Sequence, residues 1–304
     1  MQRRFSQSEH EGIIFFLLLS MYLHILLGNL LIVLLIRCDT HLLQTPMYFF
    51  LSHLSLADVG FASATVPVML RNLLSQKKDI SHTSCFSQMY FLLAFGNSDN
   101  FLLAAMAYDR YLAICRPLCY TAIMSHKHCL LMAYGCWLLA FLHSMLYTFM
   151  LSRHSFCASQ EILHFFCEFY PVLGLSCSDT TAIKMVAQTE GMLDILVPFV
   201  FIVAAYACII HAITRTPSST GKWKASSTCG SHLAVVILFY GTLCLVYVQP
   251  TSRNSNQKNT LASLLYTVVT PMLNPFIYSL RNSEMKGALR RLLDKMWGSL
   301  RDYK

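Results

Sequence analysis

Charged residues are scarce in this sequence of 304 residues. Asp, Glu, Lys and Arg make up only 12% of it, whereas 55% of the residues are hydrophobic. A soluble domain carries about 25% charged residues, so this chain lacks the charge needed to cover a water-facing surface. The shortage argues against an ordinary soluble protein and favours one whose surface faces lipid.

The sequence also lacks the features of several other classes. It has no internal repeat and no low-complexity stretch, and we expect one domain over 1–304. The net charge is +8, but no basic run with interleaved aromatic residues lies in a soluble module, so no nucleic-acid partner is expected. The first apolar segment, 13–36, is too long for a signal-peptide core and lacks a small-residue cleavage site. We expect this segment to stay in the membrane.

Seven apolar stretches are long enough to cross a bilayer, which requires about 20 residues. The predicted fold is therefore all-α, a bundle of seven transmembrane helices. The predicted spans are about 13–36, 47–73, 84–114, 130–151, 184–213, 224–248 and 259–280. Apolar residues at helical spacing, with basic residues between them, predict a further amphipathic helix at about 283–297 that lies on membrane lipid.

The orientation follows from charge and cysteine. Seven spans place the two termini on opposite sides, and a modest excess of Lys and Arg favours a cytoplasmic C-terminus and an extracellular N-terminus. Cys85, Cys157, Cys167 and Cys177 all fall on the predicted outer side, where disulfides persist. Four cysteines allow three pairings.

Four polar side chains lie within the predicted spans, where burying them is costly. They are Asn29, Asp58, Asp99 and Asn274. If they converge, two close carboxylates cannot both stay ionised unless a cation lies between them or one takes a proton. The predicted occupant is a sodium ion, and a protonated network without metal is the equal alternative.

Two motifs suggest moving parts. Residues 109–111, Asp-Arg-Tyr, stand at the inner end of the third span, where an Arg alone would only extend toward water. In the seventh span, Pro271 and Pro275 remove backbone donors, and we expect a side chain such as Asn274 to bond the freed carbonyls. The prolines act either as hinges or as static kinks.

The motifs, taken in order, resemble those of odorant receptors, a family of rhodopsin-like G-protein-coupled receptors. The resemblance covers nearly the whole chain. It is carried by PMYFFL at 46–51, MAYDRYLAIC at 106–115, KASSTCGSHL at 224–233, FYGT at 239–242 and PMLNPFIYSLRN at 271–282.

This resemblance implies a plasma-membrane receptor that binds a small volatile odorant, activates a stimulatory olfactory G protein and raises cyclic AMP. A trafficking chaperone is an expected partner. The resemblance also implies the disulfides Cys85–Cys167 and Cys157–Cys177. The implied activation switch comprises Asp109, Arg110, Tyr111, Tyr206, Tyr240, Asn274, Pro275 and Tyr278.

The ligand pocket is expected in the outer half of the bundle, as in rhodopsin-like receptors. Residues one and two helical turns inward from the outer ends of the spans give a mostly apolar lining, which suits a small volatile molecule. The predicted lining is Leu92, Leu93, Gly96, Asn97, Asp194, Leu243, Cys244, Tyr247 and Thr267. Asp194, if it faces the pocket, accepts a hydrogen bond or an amine. Glu190, one turn away, is expected to be a hydrated acid at the helix mouth.

Other classes find less support. A transporter or channel needs a continuous polar path or paired broken helices in repeated halves. An intramembrane enzyme needs a nucleophile–base or metal pair, and no motif supports one, so no enzyme activity is expected. The closest alternative is a rhodopsin-like receptor for other ligands. The motifs quoted above for the second, third and sixth spans argue against it. No cofactor is expected apart from the sodium ion, and no other metal.

Overall fold

The chain forms a helical bundle in the computed structural model. The structure describes residues 2–75, 80–156, 166–215, 219–247, 264–280 and 283–301. Within them, the side chains of 2–11, 219–222, 224–225, 227–228, 246–247, 279–280, 283 and 295–301 are not described. β structure in these parts of the chain is limited to one bridge between Phe156 and Ser176.

Six long helices contain the described residues of the first six predicted spans; most extend up to five residues beyond them, and the first begins eleven residues earlier than predicted. In chain order the helices are α1 (Gln2–Cys38), α2 (Thr40–Gln44), α3 (Pro46–Leu74), α4 (His82–Cys115), α5 (Pro117–Ile123), α6 (His126–Ser152), α7 (Phe169–Leu173), α8 (Thr181–Arg215) and α9 (Ser219–Tyr247). A π-helical turn (Leu265–Val269) then leads into α10 (Thr270–Leu280), and α11 is Ser283–Arg301. The predicted residues 259–263 of the seventh span lie outside the described residues.

Local chemistry accounts for two short helices that the hydrophobic pattern does not predict. Asp39 caps α2, because its side chain accepts hydrogen bonds from the backbone N–H groups of His41 and Leu42. Pro117 begins α5, where its missing N–H costs no helical bond and its fixed φ suits the first turn. Both helices lie in connections at the α4 C-terminal end of the bundle.

The long helices form a closed ring with α4 at its centre. The helix α4 contacts α3, α6, α8 and α9, while α1 joins α3 to α10, and α9 joins α10 to α8. Among the described residues, four helices are long and apolar enough to cross a membrane: α1 from Gly12, α3, α6 and α8. The helix α4 is equally long, but its polar residues face other helices, and their burial in the protein removes the need for a fully apolar sequence.

The outer faces of the bundle are apolar and exposed. Phe16 and Leu27 on α1 are each 70% exposed, and Leu193 and Val197 on α8 are more than 60% exposed. A contiguous apolar surface of this kind indicates contact with a partner or a membrane. Together with the lengths of the helices, it supports a membrane protein.

A disulfide joins α4 to the segment before α7. Cys85 is bonded to Cys167, as the sequence resemblance implies, and both cysteines are buried with Phe169 and Tyr147. Cys177 is also disulfide-bonded. Its expected partner Cys157 lies outside the described residues.

The amphipathic helix α11 is attached to the opposite end of the bundle. Arg291 donates two hydrogen bonds to Asp39 Oδ2, at 3.0 and 2.6 Å, and Tyr48 donates one to Glu284 at 2.9 Å. The hydrogen bonds from Arg291 hold the pKa of Asp39 below its usual value. Met285 and Ala288 are buried against the bundle, so α11 presents one face to the protein.

Gly28 allows α1 to approach α10 closely. A Cβ atom at position 28 would lie 3.0 Å from Cγ of Pro275 and 3.1 Å from its Cβ. Pro275 is a rigid ring within α10, so it has little freedom to move away. The contact requires a residue without a side chain on α1.

We expect Gly28→Ala to destabilise the receptor, because the added methyl group overpacks this contact at a cost of about 1–3 kcal/mol. The measurement is the thermal unfolding midpoint of the purified receptor. Gly135→Ala on α6 is the matched control, since a Cβ there meets nothing within 4 Å and alanine favours a helix by about 1 kcal/mol. Equal midpoints for the two variants would contradict the assignment of a tight α1–α10 contact.

Candidate ligand and signalling sites

A polar cluster occupies the interior where α1, α3, α4 and α10 meet. Its members Asn29, Asp58, Asp99 and Asn274 are all at least 94% buried. Asn274 donates a hydrogen bond to Asp58 Oδ2 at 2.8 Å, and Asp99 lies close enough to Asp58 for electrostatic interaction. Three buried oxygens in the cluster have no hydrogen-bond partner: Oδ1 of Asn29, of Asp99 and of Asn274. The four predicted residues are therefore brought together, with oxygen atoms left over.

The expected role of Asn274 at the proline kink is wrong, and Asn29 performs it instead. Pro275 has no N–H, so the carbonyl of Pro271 four residues earlier loses its helical donor. Asn29 donates to this carbonyl from α1 at 3.1 Å, whereas the Asn274 amide donates to Asp58. The side chain that repairs the kink therefore comes from another helix.

A second proline kink is repaired in the same way. Pro198 removes the donor for the Asp194 carbonyl in α8, and Asn100 on α4 donates to that carbonyl at 2.7 Å. Asn100 Oδ1 in turn accepts a hydrogen bond from the Tyr240 hydroxyl at 2.5 Å. Asn100 is absent from the predicted site, although a buried amide within a predicted span is the same signal that identified Asp99.

A histidine links three helices at the next level of the bundle. The Tyr206 hydroxyl lies 2.7 Å from His232 Nδ1, and His232 Nε2 lies 3.2 Å from the carbonyl oxygen of Leu103. With the proton on Nε2, the ring donates to Leu103 and accepts from Tyr206. His232 belongs to the 224–233 motif, but its sequence position alone gave no indication of this role.

The Asp-Arg-Tyr motif is arranged differently from a simple ion pair. Asp109 Oδ1 accepts a hydrogen bond from Tyr120 on α5 at 2.8 Å. Burial and the neighbouring Asp109 carboxylate raise the pKa of Tyr120 well above its usual value, so its hydroxyl stays protonated and donates. No described residue forms a hydrogen bond or ion pair with the half-buried Arg110 guanidinium.

The remaining predicted switch residues lie around this end of the bundle. Tyr278 on α10 is buried, and its hydroxyl has no hydrogen-bond partner among the described residues. Tyr278 lies close enough to Tyr206, Asp58 and Arg110 for electrostatic interaction. Tyr111 is partly buried against the main core, and Pro275 contacts Gly28.

The larger of two described cavities is a side groove between α4, α6 and α8, with a volume of about 760 Å³. We call it the α4–α6–α8 groove. It is lined by Phe101, Ala104, Ala105, Tyr108, Met132, Gly135, Cys136, Leu139, His143, Glu190, Leu193, Asp194, Val197, Pro198 and Phe201. Of the predicted pocket residues, Asp194 belongs to this lining.

Most other predicted pocket residues lie in packed regions. Leu92 is buried with Phe61 and Phe166, and a Cβ on Gly96 would lie 2.7 Å from the Tyr266 hydroxyl. Of the rest, Leu93 packs against the disulfide cluster, Leu243 and Thr267 are buried, Cys244 is exposed, and the Tyr247 side chain lies outside the described parts. Helical register alone does not reveal the aromatic side chains that fill this space.

Asn97 lies outside the groove lining but contacts His143, which belongs to it. Its amide lies 2.8 Å from His143 Nδ1, and His143 Nε2 lies 4.0 Å from Glu190 Oε2. Asp194 is close enough to interact electrostatically with both His143 and Glu190. His143 was not predicted as a site residue, because a single histidine in an apolar span gives no indication of its neighbours.

Comparison with known proteins places these features in one family. A family model described as olfactory receptor matches residues 18–296. Human olfactory receptor 1F1 is 50% identical over 290 residues, which cover 95% of this chain and 93% of that protein. Chimpanzee olfactory receptor 1E5 is 52% identical over 289 residues (95% and 92%), and rat olfactory receptor 1468 is 51% identical over 288 residues (95% and 91%).

The Asp58–Asn274 contact predicts an asymmetric pair of substitutions. Asn274→Asp places a second carboxyl group against Asp58 and should lower the thermal unfolding midpoint, whereas Asp58→Asn keeps an oxygen acceptor and should cost less. Combining the two substitutions restores an amide–carboxylate pair and should recover stability, with a coupling of about 1–3 kcal/mol. A double variant no better than the sum of its singles would contradict this contact.

Proposed function

The chain belongs to the olfactory receptor family, whose members are membrane receptors and not enzymes, and on this premise we propose that it couples odorant binding to a stimulatory olfactory G protein that raises cyclic AMP. The odorant is a small volatile molecule, bound in the half of the bundle that contains the Cys85–Cys167 disulfide. The G protein binds at the opposite end, where Arg110 lies.

The observation that carries this proposal is the Arg110 guanidinium, which has no hydrogen-bond or ion-pair partner among the described residues. Arginine offers five donors in a planar fork and is costly to leave half-buried without an acceptor. Arg110 lies near Cys229 and His232 of α9, and near Tyr206 of α8. A small separation of α8 and α9 from α4 would expose these donors to carbonyl groups at the end of a partner's helix.

The hydrogen bonds described above supply a route from ligand to Arg110. Asp194 and Tyr240 are both bonded to Asn100, so movement of α8 or α9 alters one shared amide. Tyr206 and His232 join the same two helices nearer to Arg110. We infer that the agonist-bound receptor rearranges these two connections, and that Tyr206 and Tyr278 then lie closer to Arg110.

The proposed orientation places the disulfide end outside the cell and α11 inside. Disulfides persist in the oxidising extracellular compartment. The exposed basic residues Lys286 and Arg290 on α11 suit the anionic lipids of the cytoplasmic leaflet. Surface delivery of the receptor is proposed to need a trafficking chaperone.

A sodium ion is proposed for the polar cluster at Asn29, Asp58, Asp99 and Asn274. Sodium prefers hard oxygen ligands, and the donor set of this cluster contains two carboxylates and three oxygens that lack a hydrogen bond. These residues would hold the ion, and its charge would offset that of the two acids. A shared proton is the alternative occupant.

We expect Arg110→Ala to abolish the cyclic AMP response while leaving surface expression unchanged. The assay co-expresses the tagged receptor with the olfactory G protein and a trafficking chaperone, and screens an odorant panel on the unmodified receptor first. Arg116→Ala is the control, because Arg116 is exposed on the same end of the bundle. A response that survives Arg110→Ala, or a surface-expressed receptor silent to the whole panel, would count against the proposed coupling.

Sodium should raise the thermal unfolding midpoint of the purified receptor relative to N-methylglucamine at equal ionic strength. At ten times the dissociation constant, binding to the folded state contributes about 1.4 kcal/mol. Asp99→Asn should remove the sodium dependence, because it removes one of the two carboxylates. If acidification stabilises the receptor and sodium does not, the cluster holds a proton instead.

A further inference from the structure

The α4–α6–α8 groove has all its charged groups at one end. His143, Glu190 and Asp194 lie at the end nearer the disulfide, and the opposite end is lined by Met132, Tyr108 and Phe201. Met132 and His143 are both on α6, so the groove extends about 16 Å along that helix at 1.5 Å per residue. The groove therefore suits an elongated molecule with one polar end.

The groove opens sideways, toward the surface that faces lipid. Leu139 on α6 is 59% exposed, and Leu193 and Val197 on α8 form its other rim with similar exposure. A Cβ on Gly135 would meet nothing within 4 Å, so α6 leaves open space between the two rims. A molecule dissolved in the bilayer reaches the groove without crossing the bundle.

The charged end carries more acid than base. Glu190 and Asp194 lie one helical turn apart on α8, and the only base that faces them within the described groove lining is His143. His143 Nε2 is buried without a hydrogen-bond partner, and its distance of 4.0 Å from Glu190 is too long for a direct hydrogen bond. No described residue hydrogen-bonds to the Asp194 carboxylate.

We propose that the α4–α6–α8 groove binds apolar amines, with the ammonium group between Asp194 and Glu190 and the hydrocarbon tail along Leu193, Val197 and Phe201. This inference rests on the proposed odorant-binding function and names the class of odorant. An ammonium group supplies the positive charge and the donors that the two carboxylates lack. A phospholipid amine is a poor fit, because its phosphate would lie beside the same two acids.

The backbone at Asp194 connects this groove to the proposed switch. The carbonyl of Asp194 accepts from Asn100, which also accepts from Tyr240. In this turn of α8, the hydrogen bond from Asn100 takes the place of the helical one that Pro198 removes. An ammonium group bound to the Asp194 side chain therefore pulls on a turn that is held by another helix. Binding in a lipid-facing groove thereby reaches the interior of the bundle.

The test compares octan-1-amine with octan-1-ol, which share a hydrocarbon chain and differ in the polar end. The readout is the ligand-induced rise in thermal unfolding midpoint of the receptor in phosphatidylcholine nanodiscs, titrated to give an affinity without a G protein. We expect Asp194→Asn to weaken octan-1-amine about tenfold or more and octan-1-ol by less than about twofold. Asp179→Asn, the same change in an exposed connection, should leave both affinities unchanged.

A second variant tests the position of the ligand independently of Asp194. Gly135→Phe fills the open space in the groove and should weaken both probes about equally. Failure of octan-1-amine to bind, an equal loss of both probes in Asp194→Asn, or unchanged binding in Gly135→Phe would each overturn the proposal. So would loss of amine affinity on adding phosphatidylethanolamine, since a headgroup would then be the occupant. Amine binding without a cyclic AMP response would support the groove and count against the proposed G-protein coupling.

Discussion

A backbone carbonyl within a bilayer must find a hydrogen-bond donor inside the protein, because no water is available there. Proline lies inside α3, α8 and α10, and in α8 and α10 an asparagine from another helix supplies the missing donor. Asn29 bonds the carbonyl that Pro275 frees, and Asn100 bonds the one that Pro198 frees. Each repair fixes the register between two helices, α1 with α10 and α4 with α8.

The same constraint explains why the most central helix is not among the most apolar. The helix α4 carries Asp99, Asn100 and Asp109, yet all three are buried against neighbouring helices rather than lipid. The helices with exposed outer faces, such as α1 and α8, carry the strongest hydropathy. Polar side chains therefore concentrate where helices meet, and the connections that join Asp194 to Tyr240, and Tyr206 to His232, pass through the protein interior.

The approximate positions of the long helices could be predicted from sequence because membrane thickness sets the length of an apolar stretch. The carbonyls freed by proline could also be located, since the missing bond is always four residues earlier. Their donors could not, because these depend on which helices are neighbours and how each is rotated. Asn274 was expected to donate to a freed carbonyl, but Asn29 does so instead. For the same reason, the sequence indicated no roles for Asn100, His232, Tyr120 and His143. The pocket prediction was made from helical register, which could not show that Phe61, Phe166 and Tyr266 fill the space around Leu92 and Gly96.

The sideways opening of the α4–α6–α8 groove has a consequence for how sensitivity is set. A ligand that arrives from the aqueous layer must first dissolve in the bilayer, where its concentration exceeds the aqueous one by its lipid–water partition coefficient. Each added methylene group favours that transfer by about 0.8 kcal/mol, which is nearly fourfold in concentration. Across a series of homologous ligands, the threshold dose would fall with chain length even if the groove held every member equally well. The membrane itself would then contribute to the tuning of the receptor.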